Sequence, residues 1–170
     1  MEIAILQHVD FEGPAEIENW CRQTGNEYKV YRLFLGEALP KAERTDFLVI
    51  LGGPMSVLDE LPWLEEERQL IRVLISQGKP VFGVCLGGQQ IAKTLGADIF
   101  QGEYREAGWL PIRMMKSETL GELPEELVVF HWHGEQFGLP EGAERLFTSE
   151  VCPNQGFIYK ENVIGLQFHF

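Results

Sequence analysis

The sequence predicts an α/β fold in which helices cover both faces of a central, mostly parallel sheet. Short, continuous apolar runs such as EIAILQ (2–7) alternate with amphipathic segments through the first two-thirds of the 170 residues. Strands that read as continuous apolar runs are buried on both faces, which is typical of parallel sheets. A cysteine between two glycines, in GVCLG (83–87), marks one strand-to-helix junction. The length suits one domain.

The elements follow in order along the chain. Alternation of apolar runs predicts strands at EIAILQ (2–7), EYKVYRLF (27–34), DFLVILGG (46–53) and PVFGV (80–84). Helical spacing predicts helices at 14–25, 62–77 and 87–96, each closed by or near a glycine. The second helix opens with Pro62 and carries one apolar face, formed by Leu64, Leu70, Ile71, Leu74 and Ile75.

The last third of the chain has a different pattern. Its apolar runs are separated by turns and lack intervening helical periods, so a mixed or partly antiparallel sheet edge is expected there. The predicted strands are WLPIRMM (109–115), LVVFHW (127–132), ERLFTS (144–149), GFIYK (156–160) and VIGLQFHF (163–170).

Composition excludes several classes of protein. The net charge of −12 disfavours direct nucleic-acid binding. No apolar run reaches the length of a membrane span, and the acidic start lacks the basic region of a signal peptide, so a cytoplasmic location is expected. The three cysteines are an odd number without a CxxC pair, which argues against a disulfide framework or a zinc knuckle.

Cys85 is the candidate nucleophile. A strand, a tight turn and a helix start are the parts of a nucleophile elbow, and Gly83 and Gly87 would relieve the crowding of that turn. The N–H groups of a helix start favour thiolate over thiol, so we expect a lowered pKa for Cys85. Cys21 and Cys152 are expected to be packing residues.

A cysteine nucleophile needs a base, and the sequence offers four histidines. Sequence distance does not select among them, although His169 follows a predicted strand and could project from its end. His131 and His133 share one strand face and could bind a metal in principle. No cysteine or carboxylate cluster accompanies them at helical or knuckle spacing, so the sequence predicts no metal ligand and no cofactor. The fourth is His8.

An acyl-transfer site also needs donors for a developing oxyanion. The N–H of Leu86, directly after the cysteine, is one candidate. The second lies in LGGPMS (51–56), where Gly52 and Gly53 allow close approach of the backbone to a ligand and Pro54 fixes the turn.

Together these motifs resemble the class I (triad) glutamine amidotransferase family, and in particular its stand-alone, GMP-synthase-like subgroup. GVCLGGQ matches the family pattern G-x-C-x-G-x-Q, and LQFHF (166–170) matches its terminal motif, usually Q-F-H-P-E. ILGGPMS resembles its oxyanion loop, and HWHGEQF (131–137) stands where the family holds the glutamine backbone. The resemblance implies a flavodoxin-like three-layer sandwich with a nucleophile elbow.

The resemblance also implies a role for each matching position. Cys85 would attack the side-chain amide of L-glutamine, and His169 would act as base and then as acid. The remaining roles are oxyanion donors (Gly53, Leu86) and substrate contacts (Gly52, Gln89, Gly134, Glu135). The product would be ammonia, and since no synthetase domain fits in 170 residues, a separate synthase subunit would be the acceptor.

Two departures from the family pattern leave alternatives open. The third triad member would be a glutamate two residues after the histidine, but the sequence ends at Phe170, which stands where proline is usual. We therefore expect a single domain over 1–170 that is truncated at its C-terminus, or a shortened protein without activity. The other functions to weigh are a stand-alone γ-glutamyl hydrolase or peptidase and a non-catalytic binding homologue.

Overall fold

The computed structural model describes residues 1–117, 119–121 and 124–169. The expectation that concerns Phe170 lies outside these residues. The strands are β1 (Glu2–Gln7), β2 (Glu27–Arg32), β3 (Phe47–Ile50), β4 (Val81–Val84), β5 (Ile99–Met114), β6 (Glu126–Phe137), β7 (Ala143–Thr148), β8 (Gly156–Tyr159) and β9 (Val163–Leu166). The α-helices are α1 (Glu16–Gln23), α2 (Pro62–Ser76) and α3 (Leu86–Thr94).

The described strands form one sheet of order β2-β1-β3-β4-β9-β8-β7-β5-β6. The strands from β2 to β9 in this order pair in parallel, and those from β9 to β6 pair antiparallel. The mixed sheet edge predicted for the last third is confirmed. Among the described residues, no helix is both long and apolar enough to cross a membrane.

Helices cover both faces of the parallel half, as the continuous apolar runs predict. Alternate residues of one strand point to opposite layers: Ile5 packs in a cluster with Cys21 of α1, whereas Leu6 packs in a cluster with Ile71 of α2 and Ile91 of α3. Each fully buried aliphatic side chain of this kind contributes about 1.5–3 kcal/mol. The three-layer arrangement is confirmed.

The hairpin of β5 and β6 is longer than the sequence indicates. We expected its first strand to start at residue 109, but β5 starts at Ile99. Residues 101–108, QGEYREAG, are mostly polar and exposed, so no apolar run marks them as a strand. They join the strand because Gln101 and residues 106–108 pair with β6, with a register shift between Gln101 and Glu106.

Two predicted strands end early, and both ends matter for the site. β3 ends at Ile50, so the glycine pair Gly52 and Gly53 leaves the sheet. β9 ends at Leu166, and His169 rejoins the sheet through an isolated bridge to Phe130 of β6. The chain thus leaves its strand shortly before each of two predicted site segments, the glycine pair and His169.

Candidate active site

Cys85 occupies a strained turn between β4 and α3, with φ 52° and ψ −107°. Such a conformation is costly for a residue with a side chain and persists only where the surroundings enforce it. A Cβ on Gly83 would overlap the backbone of Gly87, and a Cβ on Gly87 would overlap the carbonyl of Ile50. The two flanking glycines therefore permit the bend, as the sequence predicts.

The bend exposes Cys85 to a cavity of about 480 Å³. Most of the predicted site residues line it together: Gly53, Cys85, Gln89, Gly134, Glu135 and His169. Gly52 instead borders a neighbouring apolar cavity beside His169. Leu86 is buried, and its backbone N–H faces the Cys85 sulfur.

The Cys85 thiol does not have the lowered pKa that we expected. Burial and the nearby Glu12 carboxylate raise its pKa to about 12, with a smaller contribution from Glu135. The N–H of Leu86 acts in the opposite direction and does not overcome them. The thiol therefore keeps its proton in the resting site and needs a base in order to react.

His169 has the properties of such a base. Its backbone exchanges two hydrogen bonds with Phe130, of 2.8 and 3.1 Å, which hold it against β6. Burial lowers the pKa of its imidazole, and electrostatic repulsion from His133 and His131 acts in the same direction. Within the part of the chain that the structure describes, its ring makes no hydrogen bond or ion pair. A neutral ring of this kind can accept a proton near pH 7.

The loop after β3, which contains Gly52 and Gly53, lies against both Leu86 and His169. A Cβ on Gly53 would lie 3.1 Å from Leu86 Cδ2, and a Cβ on Gly52 would lie 3.0 Å from His169 Cε1. These positions leave no room for a larger residue without displacement of a neighbour. Gly53 thus lies close to the side chain of Leu86, whose backbone N–H is the other candidate oxyanion donor.

A histidine without an assigned role in the sequence analysis supports this loop. His8 Nδ1 lies 3.1 Å from the Gly52 carbonyl oxygen, and His8 Nε2 lies 2.9 Å from Glu67 Oε2. Burial alone would lower the pKa of His8, but Glu67 and the loop carbonyls raise it. Both ring nitrogens face acceptors, so the ring is held as an imidazolium and donates to both.

The opposite wall of the cavity is the backbone at Gly134 and Glu135. Gln89 Nε2 donates to the Glu135 carbonyl at 3.3 Å, and Gln101 Nε2 donates to the Gly134 carbonyl at 2.7 Å. Ser56, on the loop after β3, donates to Glu135 Oε1 at 2.8 Å. Side chains from α3, β5 and the loop therefore fix this segment from three sides.

Sequence reasoning missed two carboxylates at the cavity. Glu12 is half-buried, and burial raises its pKa, although His8 acts to lower it. Glu106 of β5 pairs in register with His133, so a carboxylate does accompany the two histidines in space, although none does at helical or knuckle spacing. Neither residue belongs to a local motif; register counted along the hairpin is the signal that could have found Glu106.

Cys21 and Cys152 are both fully buried, which confirms that they are packing residues. Burial and the nearby Glu106 raise the pKa of Cys152 to about 12, and its sulfur lies 3.6 Å from the Asn154 carbonyl oxygen. Neither cysteine lines the cavity of Cys85.

Comparison with known proteins gives consistent matches. Residues 13–169 match the family model for class I glutamine amidotransferases. The glutamine amidotransferase-like protein YfeJ of Salmonella typhimurium is 33% identical over 179 residues, which cover 99% of this chain and 75% of that protein. A GMP synthase (glutamine-hydrolyzing) of Bacillus cytotoxicus is 35% identical over 132 residues, which cover 76% of this chain and 25% of that enzyme.

Solved structures match along nearly the whole chain. A glutamine amidotransferase of Thermotoga maritima superposes with a TM-score of 0.92 and 36% identity, covering 99% of this chain and 75% of that one. A second, from Methylobacillus flagellatus, gives a TM-score of 0.94 and 33% identity, with coverage of 99% and 69%.

Proposed function

The chain belongs to the class I glutamine amidotransferase family, and we propose that it hydrolyses the side-chain amide of L-glutamine through a thioester on Cys85. The observation that carries the proposal is the single cavity shared by Cys85, His169 and Gln89. One sheet runs through all the described strands, which supports the proposal of a single domain over 1–170.

In the first step, Cys85 Sγ forms a bond to the amide carbon while its proton passes to a ring nitrogen of His169. The two events are coupled because the resting thiol has a pKa of about 12 and no thiolate accumulates. The carbonyl oxygen takes up the negative charge and accepts hydrogen bonds from the N–H groups of Gly53 and Leu86.

In the second step, the C–N bond breaks and His169 gives its proton to the leaving nitrogen, which departs as ammonia. Water then attacks the thioester, with His169 again as base; the C–S bond breaks, and glutamate leaves with the thiol restored. The ammonium group of bound glutamine would lie near Glu135 and offset its small contribution to the thiol pKa, which burial and Glu12 chiefly raise.

We further propose that the ammonia serves an acceptor enzyme on another chain. The matched relative from Bacillus cytotoxicus is a GMP synthase that this chain covers over only 25% of its length. The rest of that enzyme has no counterpart in the alignment. The name of this relative, a glutamine-hydrolyzing GMP synthase, supports a synthase as the ammonia acceptor.

Ammonia release from L-glutamine tests the proposal. We expect release by the protein, loss of release in Cys85→Ala, and unchanged release in Cys21→Ala, whose thiol lies under α1 and away from the cavity. Circular dichroism of both variants shows whether the fold is kept. No release by the protein, alone or with candidate synthases, would overturn the proposal.

The same assay separates the alternatives. Cleavage of γ-glutamyl peptides in preference to glutamine would identify a γ-glutamyl hydrolase, because the attacking thiol is shared and only the leaving group differs. Binding of glutamine without turnover of either substrate would identify a non-catalytic homologue. Each activity is compared with that of Cys85→Ala, which lacks the attacking thiol.

A further inference from the structure

We propose that Glu106, His131 and His133 bind one divalent first-row transition-metal ion, for which Zn²⁺ is the probe of choice. The proposal stands apart from glutamine hydrolysis and does not depend on it. The three side chains are almost fully buried, and their ligand atoms all lie within 4.8 Å of one another.

The distances between the ligand atoms suit a tetrahedral ion. His133 Nε2 lies 3.1 Å from Glu106 Oε2, His131 Nδ1 lies 3.4 Å from His133 Nε2, and His131 Nδ1 lies 3.9 Å from Glu106 Oε2. Bonds of about 2.0–2.1 Å at tetrahedral angles place neighbouring ligand atoms roughly 3.3–3.4 Å apart. Three ligands can therefore close on an ion with shifts of about half an ångström.

The hydrogen bonds of His133 leave one nitrogen for a metal. Its Nδ1 lies 3.1 Å from the Glu135 carbonyl oxygen, which can only accept, so Nδ1 carries the ring proton. Its Nε2 then presents a lone pair to the Glu106 carboxylate. A nitrogen lone pair and a carboxylate oxygen that face each other at 3.1 Å can both bind one cation placed between them.

The surroundings of Glu106 and His131 also fit a metal site. Glu106 Oε1 accepts a hydrogen bond from Ser149 at 2.8 Å, and Glu106 Oε2 accepts one from Gln155 at 2.6 Å. Hydrogen bonds of this kind fix the direction of metal-binding carboxylates. His131 Nδ1 faces the other two ligands, at 3.4 Å from His133 Nε2 and 3.9 Å from Glu106 Oε2, and the Leu110 backbone also interacts with the His131 ring.

The strand pairing places the three side chains on one rigid face. Glu106 lies directly opposite His133 in the register of β5 and β6, and His131 lies two residues earlier on the same face of β6. Cross-strand neighbours of this kind are among the closest side-chain pairs in a sheet. The site is thus formed by the hairpin itself and not by a mobile loop.

The ligand chemistry and the access route select the class of ion. Two imidazoles and one carboxylate suit Zn²⁺ or Fe²⁺, whereas Mg²⁺ and Ca²⁺ prefer oxygen ligands alone. Glu106 and His133 also line the cavity of Cys85, so an ion can enter from it and direct its open coordination position back into it.

Metal binding by the full chain, after chelator treatment and dialysis, tests the proposal. We expect about one Zn²⁺ per chain in titration calorimetry, as for a single three-ligand site. Glu106→Gln should weaken binding about 100-fold or more, since loss of even an outer partner of a ligand costs 10–100-fold. Glu103→Gln, an exposed carboxylate on the same strand, is the matched control and should bind as the unmodified protein does.

Three further measurements identify the site. Cys85→Ala should bind Zn²⁺ unchanged, and the Co²⁺ complex should lack an intense thiolate charge-transfer band, because no sulfur coordinates the ion. Zn²⁺ should also raise the thermal midpoint of the protein and of Glu103→Gln, but not that of a folded Glu106→Gln or His131→Asn. Absence of binding, equal affinity in Glu106→Gln, or loss of binding in Cys85→Ala would each overturn the proposal.

Discussion

His8 Nε2 lies 2.9 Å from Glu67 Oε2, and both side chains are fully excluded from solvent. Because the pKa of His8 is raised in the folded state, its charged form stabilises the fold. That stabilisation is fully present below the unfolded pKa of about 6.5 and is lost as the pH rises through the folded pKa.

Glu67→Gln should therefore lower the free energy of unfolding by about 1.5–3 kcal/mol at the acidic end, as expected for a lost hydrogen bond to a charged group. Urea unfolding between about pH 6 and pH 9 measures this loss, which should shrink toward the alkaline end. Glu66→Gln, an exposed neighbour on α2, should have little effect. An equal loss for Glu67→Gln at every pH would contradict the charged form of His8.

We expect Cys85 to react with thiol reagents faster than the other two cysteines in the folded protein. Its side chain opens onto a cavity, whereas Cys21 and Cys152 are fully buried. Since the pKa values of Cys85 and Cys152 are both raised to about 12, access and not acidity sets the order. Alkylation followed by peptide mass mapping measures the three rates. Equal rates under native conditions would show that access does not distinguish the sites.

Glu12→Gln should increase the reactivity of Cys85. The Glu12 carboxylate raises the pKa of the thiol, so its neutralisation should lower that pKa and increase the thiolate fraction at a fixed pH. We expect alkylation about two- to tenfold faster, the size of one partly screened charge interaction. Glu16→Gln, exposed at the start of α1, provides the comparison. A rate unchanged by Glu12→Gln would remove this carboxylate from the electrostatics of the thiol.

Ser56→Ala should weaken substrate binding more than turnover. The Ser56 hydroxyl donates to Glu135 Oε1 and joins the loop after β3 to β6 across the cavity. Loss of one neutral-to-charged hydrogen bond costs about 1.5–3 kcal/mol when buried, and less at this partly exposed position. We expect a KM for glutamine raised about threefold to tenfold, measured by ammonia release. Ser76→Ala, at the end of α2, should leave KM unchanged.

Gly87→Ala should prevent correct packing of the elbow. A Cβ at this position overlaps the Ile50 carbonyl, which is backbone and cannot rotate away. Overpacking of this kind costs about 1–3 kcal/mol or more. Gly13→Ala, where a Cβ meets nothing within 4 Å, is the control. Thermal unfolding of the two variants should separate them by several degrees.

The sequence predicted those features that rest on short segments. Residues only a few positions apart determine the bend at Cys85, the loop at Gly52 and Gly53, and the apolar faces of the helices. The pairing of His8 with Glu67 joins positions 59 residues apart, and no local pattern indicates it. The position of Glu106 beside His133 depends on the register of the β5–β6 hairpin, and the first half of β5 is polar.

The acidity of Cys85 could not be predicted for a different reason. A helix start favours the thiolate, and that much is visible in GVCLG. The depth of burial and the position of Glu12 decide the direction of the shift, and both arise from packing between distant segments. Local electrostatics and tertiary burial act in opposite directions here, and burial is the larger effect.

The bridge between His169 and Phe130 has a consequence for folding kinetics. β6 lies at one edge of the sheet and β9 lies near its middle, yet His169, three residues after β9, forms a bridge to Phe130 of β6. Non-local pairings of this kind form late, because their loop-closure entropy is lost before the contacts compensate for it. On refolding from urea, the imidazole of His169 should therefore enter the cavity of Cys85 only after most of the secondary structure has formed.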